Sequence, residues 1–346
     1  MKQSIATGLL LIGVVTGGVA AGGVVAGPSP AAALGPDQLA VIVNTADPAS
    51  VELGEYYARR RRIPRANVIP ITLPAGQDEI SRHDFEVAKA QVDAQIPSTA
   101  QAMALAWTTP FRVECLSITT AFAFGFDAAF CAQGCRPTRP SPYFDSPSTA
   151  PWSELGLRPA MLLAGRTAAG TKAMIDRGIR SDSTFPTGTA YLLSTSDRPR
   201  NARAVGYAQV EAADPRVRVE RIDADELRDR SDVLFYFIGR VSVPGLETLR
   251  FRPGAIADHL TSTGGVLTGH GQMSALRWLE AGATASYGTV VEPCNFRSKF
   301  PQPSVVIDRY TRGETLLEAY WKSVASPGQG VFVGEPLAAP FRPRSR

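Results

Sequence analysis

The sequence predicts an α/β fold: a three-layer sandwich with helices on both faces of a mostly parallel sheet. Three observations carry this. Short apolar runs recur along the chain and read as buried strands. Segments with apolar residues at helical spacing lie between them. From Leu39 onward the order is strand, helix, strand, helix, strand, the pattern that yields parallel pairing.

Taken in order, Leu39-Ala-Val-Ile-Val-Asn44 is the first buried run. Asp47-Pro48 opens a helix that runs to about Arg62, and Pro64 stops it. A strand over 67–73 ends at Pro74. Ser81 caps a helix over 81–96, with Phe85, Ala88, Val92 and Ile96 on one face. Residues 102–107 form a third strand. Residues 115–126 are apolar and fit either strand or helix. Prolines, serines and two cysteines then make a long loop over about 127–152. Further strands are expected at 160–164, 189–194, 217–222 and 233–239. Helices are expected at 167–177, 201–213 and 223–229, with Asp258 and His259 on a short helix. Residues 265–268 and 285–291 read as strands flanking a helix over 272–283. Helices at 304–312 and 315–324 and a strand at 330–333 complete the alternation. The tail, 341–346, is rich in proline and arginine and is expected to fray.

At 346 residues the chain is long enough for a large core, read as one α/β domain over 34–340. With 44% hydrophobic and 20% charged residues it is not a disordered chain. A net charge of +4 is too small to point to nucleic acid. Residues 1–33 differ from the rest: Lys2 is the only charge, and an apolar, glycine-rich run leads to Ala31-Ala32-Ala33. This reads as a secretory signal peptide cleaved after Ala33, the alternative being an uncleaved membrane anchor. No later segment is long and apolar enough to span a membrane. The protein is therefore expected at the periplasm or cell surface.

Export makes the four cysteines an even set in an oxidising compartment. Cys131–Cys135 could close a small loop, leaving Cys115–Cys294. Four cysteines allow three connectivities, and sequence does not choose among them. Ligand-like spacing of cysteines or histidines is lacking, so neither metal nor cofactor is expected.

The candidate chemistry lies in the last third. His270-Gly271 and Cys294 each follow an apolar run. If both runs are parallel strands, the two side chains share the carboxyl rim where open α/β sheets place their sites. Facing one another, they would make a thiolate–imidazolium nucleophile, with amides near Gly271 receiving an oxyanion. Glu292 and Glu114 each lie close before a cysteine, and either could orient a histidine or raise a thiol pKa. The other reading is a structural disulfide cysteine and an incidental loop histidine. Gly165-Arg-Thr-Ala-Ala-Gly-Thr-Lys172 approaches a phosphate loop, but Thr171 and Lys172 stand in exchanged order. A simpler anion site at a helix N-terminus remains open there. The arginine run Arg59 to Arg62 suits a helix C-terminus. Trp278, Trp321, Tyr310 and Tyr320 read as core aromatics.

Several stretches carry a family resemblance: Gly254-Ala-Ile-Ala-Asp-His-Leu-Thr-Ser262, Ser286-Tyr-Gly-Thr289, Glu292-Pro-Cys-Asn295, Glu318-Ala-Tyr-Trp-Lys-Ser323 and Gly334-Glu-Pro-Leu-Ala338. With Tyr56-Tyr57-Ala58 and Ile63-Pro64 near the start, the chain resembles an uncharacterised exported bacterial family that accompanies the exosortase sorting system. That resemblance implies an exported protein in bacteria that build extracellular matrix, with no established activity. The function read from the chain is a peptidase-like binding or accessory protein in surface protein sorting or matrix export, with envelope or sorted surface proteins, peptide or glycan as partners. More distantly, His270-Gly271 and Cys294 are similar to the pair of caspase–gingipain cysteine peptidases. This implies a caspase/gingipain-like core and, as the alternative function, a cysteine peptidase with a His270/Cys294 dyad. Glu292-Pro293 departs from the residues usual before that cysteine.

Overall fold

The computed structural model describes Met1, residues 34–132 and residues 134–344. The signal peptide expected over 1–33 thus lies, Met1 apart, outside the described residues. So does the end of the tail.

The strands are β1 (Leu39–Asn44), β2 (Val68–Ile71), β3 (Glu79–Ile80), β4 (Ala102–Leu105), β5 (Arg112–Val113), β6 (Leu116–Ser117) and β7 (Ala160–Leu162). They continue as β8 (Gly188–Ser194), β9 (Val217–Asp223), β10 (Val233–Gly239), β11 (Phe251–Leu260), β12 (Ala285–Thr289) and β13 (Gly330–Gly334). Ten of them form the central sheet in the order β2-β1-β4-β7-β13-β12-β11-β10-β8-β9, and β3-β5-β6 form a small separate sheet. β2, β1, β4 and β7 pair in parallel as one block. β12, β11, β10, β8 and β9 pair in parallel as a second. β13 joins the blocks, antiparallel to β12 from Ala285–Gly334 to Thr289–Gly330 and meeting β7 at Val333–Leu162. The fold is α/β with a large, mostly parallel sheet, as predicted. Charged side chains of β9 (Arg218, Glu220, Arg221) and Pro70 in β2 blunt its two open edges.

The helices are α1 (Pro48–Arg61), α2 (Arg82–Gln95), α3 (Ile118–Phe124), α4 (Pro151–Leu155), α5 (Ala168–Ser181), α6 (Leu276–Ala281), α7 (Pro303–Thr311) and α8 (Leu316–Lys322). α1, α5 and α6 pack together on one face. On the other, Phe85 of α2 meets Phe122 of α3 edge-on at 5.3 Å, and α7 packs on α8. Local chemistry sets the helix starts: Asp47 accepts from the Ala49 amide, Ser81 from Asp84 and Thr167 from Gly170.

Several expected elements differ. The helix expected around Asp258 and His259 is β11. From Gly254 to Leu260 this strand is buried on both faces, so that stretch lacks polar alternation. Its two buried polar residues, Asp258 and His259, point to opposite faces and find distant partners. Asp258 is paired with Arg203 and accepts from the Tyr320 hydroxyl at 2.9 Å. The His259 ring accepts from the Trp278 indole at 3.0 Å and donates to the Met273 carbonyl at 3.0 Å. The strand expected at 265–268 is a turn, because the chain there lies directly against the backbone of β12. A Cβ on Gly265 would come within 2.4 Å of the Gly288 carbonyl oxygen. The helix expected over 272–283 is confined to α6, and residues 201–213 carry a 3₁₀ helix, Arg200–Gln209. No helix forms over 223–229. The tail is anchored at its start: Phe341 is buried against Tyr310, and Arg342 donates to the carbonyls of Gly313 and Leu34.

α1 and α5 are held side by side by ion pairs at successive turns. Glu52 pairs with Lys172. Asp176 accepts from the Tyr56 hydroxyl at 2.7 Å and pairs with Arg60 at 2.8 Å. At their C-terminal ends Arg61 bridges Asp182 and the fully buried Glu335, which also accepts from the Tyr57 hydroxyl at 2.6 Å. Removing one partner of so buried a pair strands the other, at a cost of about 3–5 kcal/mol. The expectation that 59–62 serves a helix C-terminus thus holds, and Arg61 gains a tertiary role that the run of arginines concealed.

Burial of His259 pushes its imidazole down to about 3. The fold therefore holds it neutral, while the unfolded chain protonates it near pH 6.5. Its contribution to stability is full above about pH 6.5 and is lost progressively as pH falls toward 3, by up to about 1.4 kcal/mol per pH unit. His259→Gln should flatten the decline in urea stability between pH 7.5 and 5.5. An unchanged slope in that variant would contradict this assignment.

Candidate functional site

The His270/Cys294 reading requires the run at 265–268 to pair with β12 as a parallel strand; β12 pairs with β11 instead, and the turn at 265–268 disposes the two residues differently. His270 is exposed at the crest of a turn flanked by Gly269 and Gly271. It lines a cavity of about 260 Å³ with Arg166, Ser242 and Arg277, and Cys294 is not part of that lining. Cys294 is instead joined to Cys135, with Cα atoms 5.2 Å apart, and Cys115 to Cys131 at 5.3 Å. The expected pairings, Cys131–Cys135 and Cys115–Cys294, are corrected accordingly. The physical reason lies in the two anchors of the long loop. Cys131 is drawn to the β5–β6 turn that holds Cys115, and Cys135 to the segment leaving β12.

All four cysteines are thus oxidised, and Cys294 carries no thiolate. Two structural disulfides suit an oxidising compartment. Cys294 and Asn295 both adopt left-handed backbone, at φ 55° and 57°, a conformation that needs support from its surroundings. The Cys135 bridge supplies one restraint. Glu292 supplies another, its carboxylate accepting from the Cys294 amide at 2.7 Å. Glu292 therefore shapes its own loop rather than orienting His270. Nearby, Lys299 was not singled out by sequence. It is buried with its ammonium 5.0 Å from the Phe296 ring and without a hydrogen-bond partner among the described residues, and burial pushes it down to about 8.

A larger cleft lies elsewhere, where the exits of β1, β4 and β7 converge with the segment after β11. It encloses about 480 Å³, within the range of small-ligand sites. The N-terminal turns of α1 and α5 form two walls, with Asp47, Ser50, Glu52 and Leu53 on one and Arg166, Thr167, Ala168 and Lys172 on the other. Ala106, Trp107, Thr108 and Thr109 line it below, and Thr268 and Leu276 close the side.

Hydrogen bonds fix this floor. The Thr108 hydroxyl donates to the Gly165 carbonyl at 2.9 Å and accepts from its amide at 3.2 Å, tying the exit of β4 to that of β7. Trp107 is 2% exposed, and its indole donates to the Pro110 carbonyl at 2.9 Å. Thr268 donates to Asp78 at 2.6 Å. The hydrogen bond from Lys172 holds the Glu52 carboxyl below its usual range. The near phosphate loop falls here, but its parts are engaged otherwise: Lys172 holds Glu52, and the Thr171 hydroxyl donates to the Thr167 carbonyl at 3.0 Å. The cleft can therefore enclose a small uncharged or zwitterionic group, with apolar contact from Leu53, Ala168 and Leu276 and hydroxyls around it.

Among the described residues no helix is long and apolar enough to cross a membrane, and no cluster of histidine, cysteine and carboxylate side chains could hold a metal ion. Peptide mapping without reductant should recover the Cys115–Cys131 and Cys135–Cys294 links, with no thiol labelled before reduction. Labelling of Cys294 in the unreduced protein would contradict the site described here. Comparison with protein-family models, with curated proteins and with solved structures finds no match to the chain.

Proposed function

We propose that the protein is an exported, non-catalytic accessory protein that binds peptide segments of envelope or sorted surface proteins in the cleft between the N-terminal turns of α1 and α5. The observation that carries the reading is the cleft itself, a sizeable concavity at strand exits whose walls combine apolar side chains with hydroxyls. A peptide suits it better than a glycan. Among the described residues the single aromatic in the lining, Trp107, is buried in the floor and offers no open ring face for a sugar to stack on.

The disulfides favour export, and the resemblance to the exosortase-associated family supports a place in surface sorting. The peptidase alternative has no such support, since Cys294 is engaged in a disulfide with Cys135.

Ala168 is exposed at the start of α5 and lines the cleft, so Ala168→Trp would fill it without disturbing the core. Wild-type protein panned on an immobilised library of random heptapeptides should enrich a defined set, and Ala168→Trp should bind that set at least tenfold more weakly. Equal binding by the variant, or retention on neutral oligosaccharides alone, would overturn the proposal.

A further inference from the structure

The cavity beside His270 is continuous in its lining with the main cleft. Arg166 lines both, and the segment after β11 supplies Thr268 and Leu276 to one and Gly269 through Ser274 to the other. The two cavities differ in charge. In the main cleft Lys172 is matched by Glu52, and the Asp47 carboxylate lines the wall across from Arg166. In the second, Arg166 and Arg277 both pair with the single carboxylate of Glu280. Two guanidiniums sharing one carboxylate leave one positive charge uncompensated, and the exposed His270 imidazole stands beside them. The amides of His270, Gly271 and Gln272 in the same turn take no acceptor among the described residues. Ser242 adds a hydroxyl to the rim.

We propose that this second cavity is a seat for a carboxylate, held by Arg166, Arg277, His270 and the amides of the 270–272 turn. A single excess positive charge matches a monoanion. A guanidinium pairs with a carboxylate through a planar fork, and free amides in a glycine-flanked turn present further donors to an anion. Joined to the main cleft at Arg166, the seat deepens the peptide-binding reading, on which the identity of the ligand rests. The preferred peptide carries an acidic side chain or its own terminal carboxylate next to an apolar residue, the apolar part in the main cleft and the carboxylate against Arg277. His270, singled out by sequence as a general base, here serves as a binding donor.

The chain has three histidines, His83, His259 and His270, so a carbon–proton spectrum of the full chain labelled in histidine rings contains one reporter inside the seat. His83 lies exposed on α2 and serves as the control for bulk ionic effects. Sodium acetate is titrated against sodium chloride at matched ionic strength, with His270→Gln to assign the signal. The expected result is a saturable shift of the His270 ring with His83 unmoved, weakened at least fivefold in Arg277→Gln, whose side chain is exposed and outside the core. A linear drift shared by His83 and His270, or the same curve in Arg277→Gln, would overturn the proposal. The two readings separate cleanly. Acetate saturation without peptide enrichment would leave the seat and remove the peptide. Cleft-dependent peptide binding without acetate saturation would do the reverse.

Discussion

The buried carboxylate of Glu335 is the constraint on which the rest of the structure turns. It sits where the last strand ends, between the C-terminal turns of α1 and α5, and holds Arg61 and Tyr57 at once. Gly178 on α5 leaves room for it, since a Cβ there would come within 2.8 Å of the Glu335 side chain. From this clamp the two helices run side by side, joined by the Arg60–Asp176 and Lys172–Glu52 pairs, and their N-terminal turns form opposite walls of the cleft. The spacing of the two walls is therefore held at both ends, by this clamp and by the Lys172–Glu52 pair in the cleft itself. A charge that must be paired in the interior is a demanding way to hold two helices, and it fixes their registry as well as their contact.

The second block of the sheet is organised by a similar device. Arg203 reaches Asp258 through the interior and also donates to the carbonyls of Ile238 and Pro301, so a single guanidinium joins β10, β11 and the approach to α7. On the opposite face of β11, His259 and Trp278 tie the strand to α6. These bonds stiffen the start of the segment that carries both Thr268 and His270. The two cavities thus share a wall whose base is anchored in the core.

Much of this was legible in the sequence wherever local chemistry decided the outcome. β1, the Asp47-Pro48 start of α1, the Ser81 cap of α2 and the strand at 233–239 follow from apolar runs and capping residues. β11 was not legible, because Asp258 and His259 look polar in isolation and become core residues only through Arg203 and Trp278. The disulfide pattern escaped for a related reason: Cys131 and Cys135 are near in sequence but are drawn to different anchors. The site was displaced by the same logic. Ligands of open α/β sheets bind at strand exits; His270 and Cys294 stand out in the sequence there, whereas the larger concavity lies at the exits of β1, β4 and β7. Of the earlier candidates, His270 remains in a cavity, Cys294 is a structural half-cystine, and Glu292 supports its loop.

The central claim is that the N-terminal turns of α1 and α5 form the ligand-binding surface. Amide hydrogen exchange of the intact, oxidised protein with and without a library-selected peptide tests it most directly. The account predicts slowed exchange confined to 49–53, 106–109 and 166–172, extending to 269–273 when the peptide carries a carboxylate. Protection centred instead on the β9 edge or on 294–299, with those segments unchanged, would contradict it.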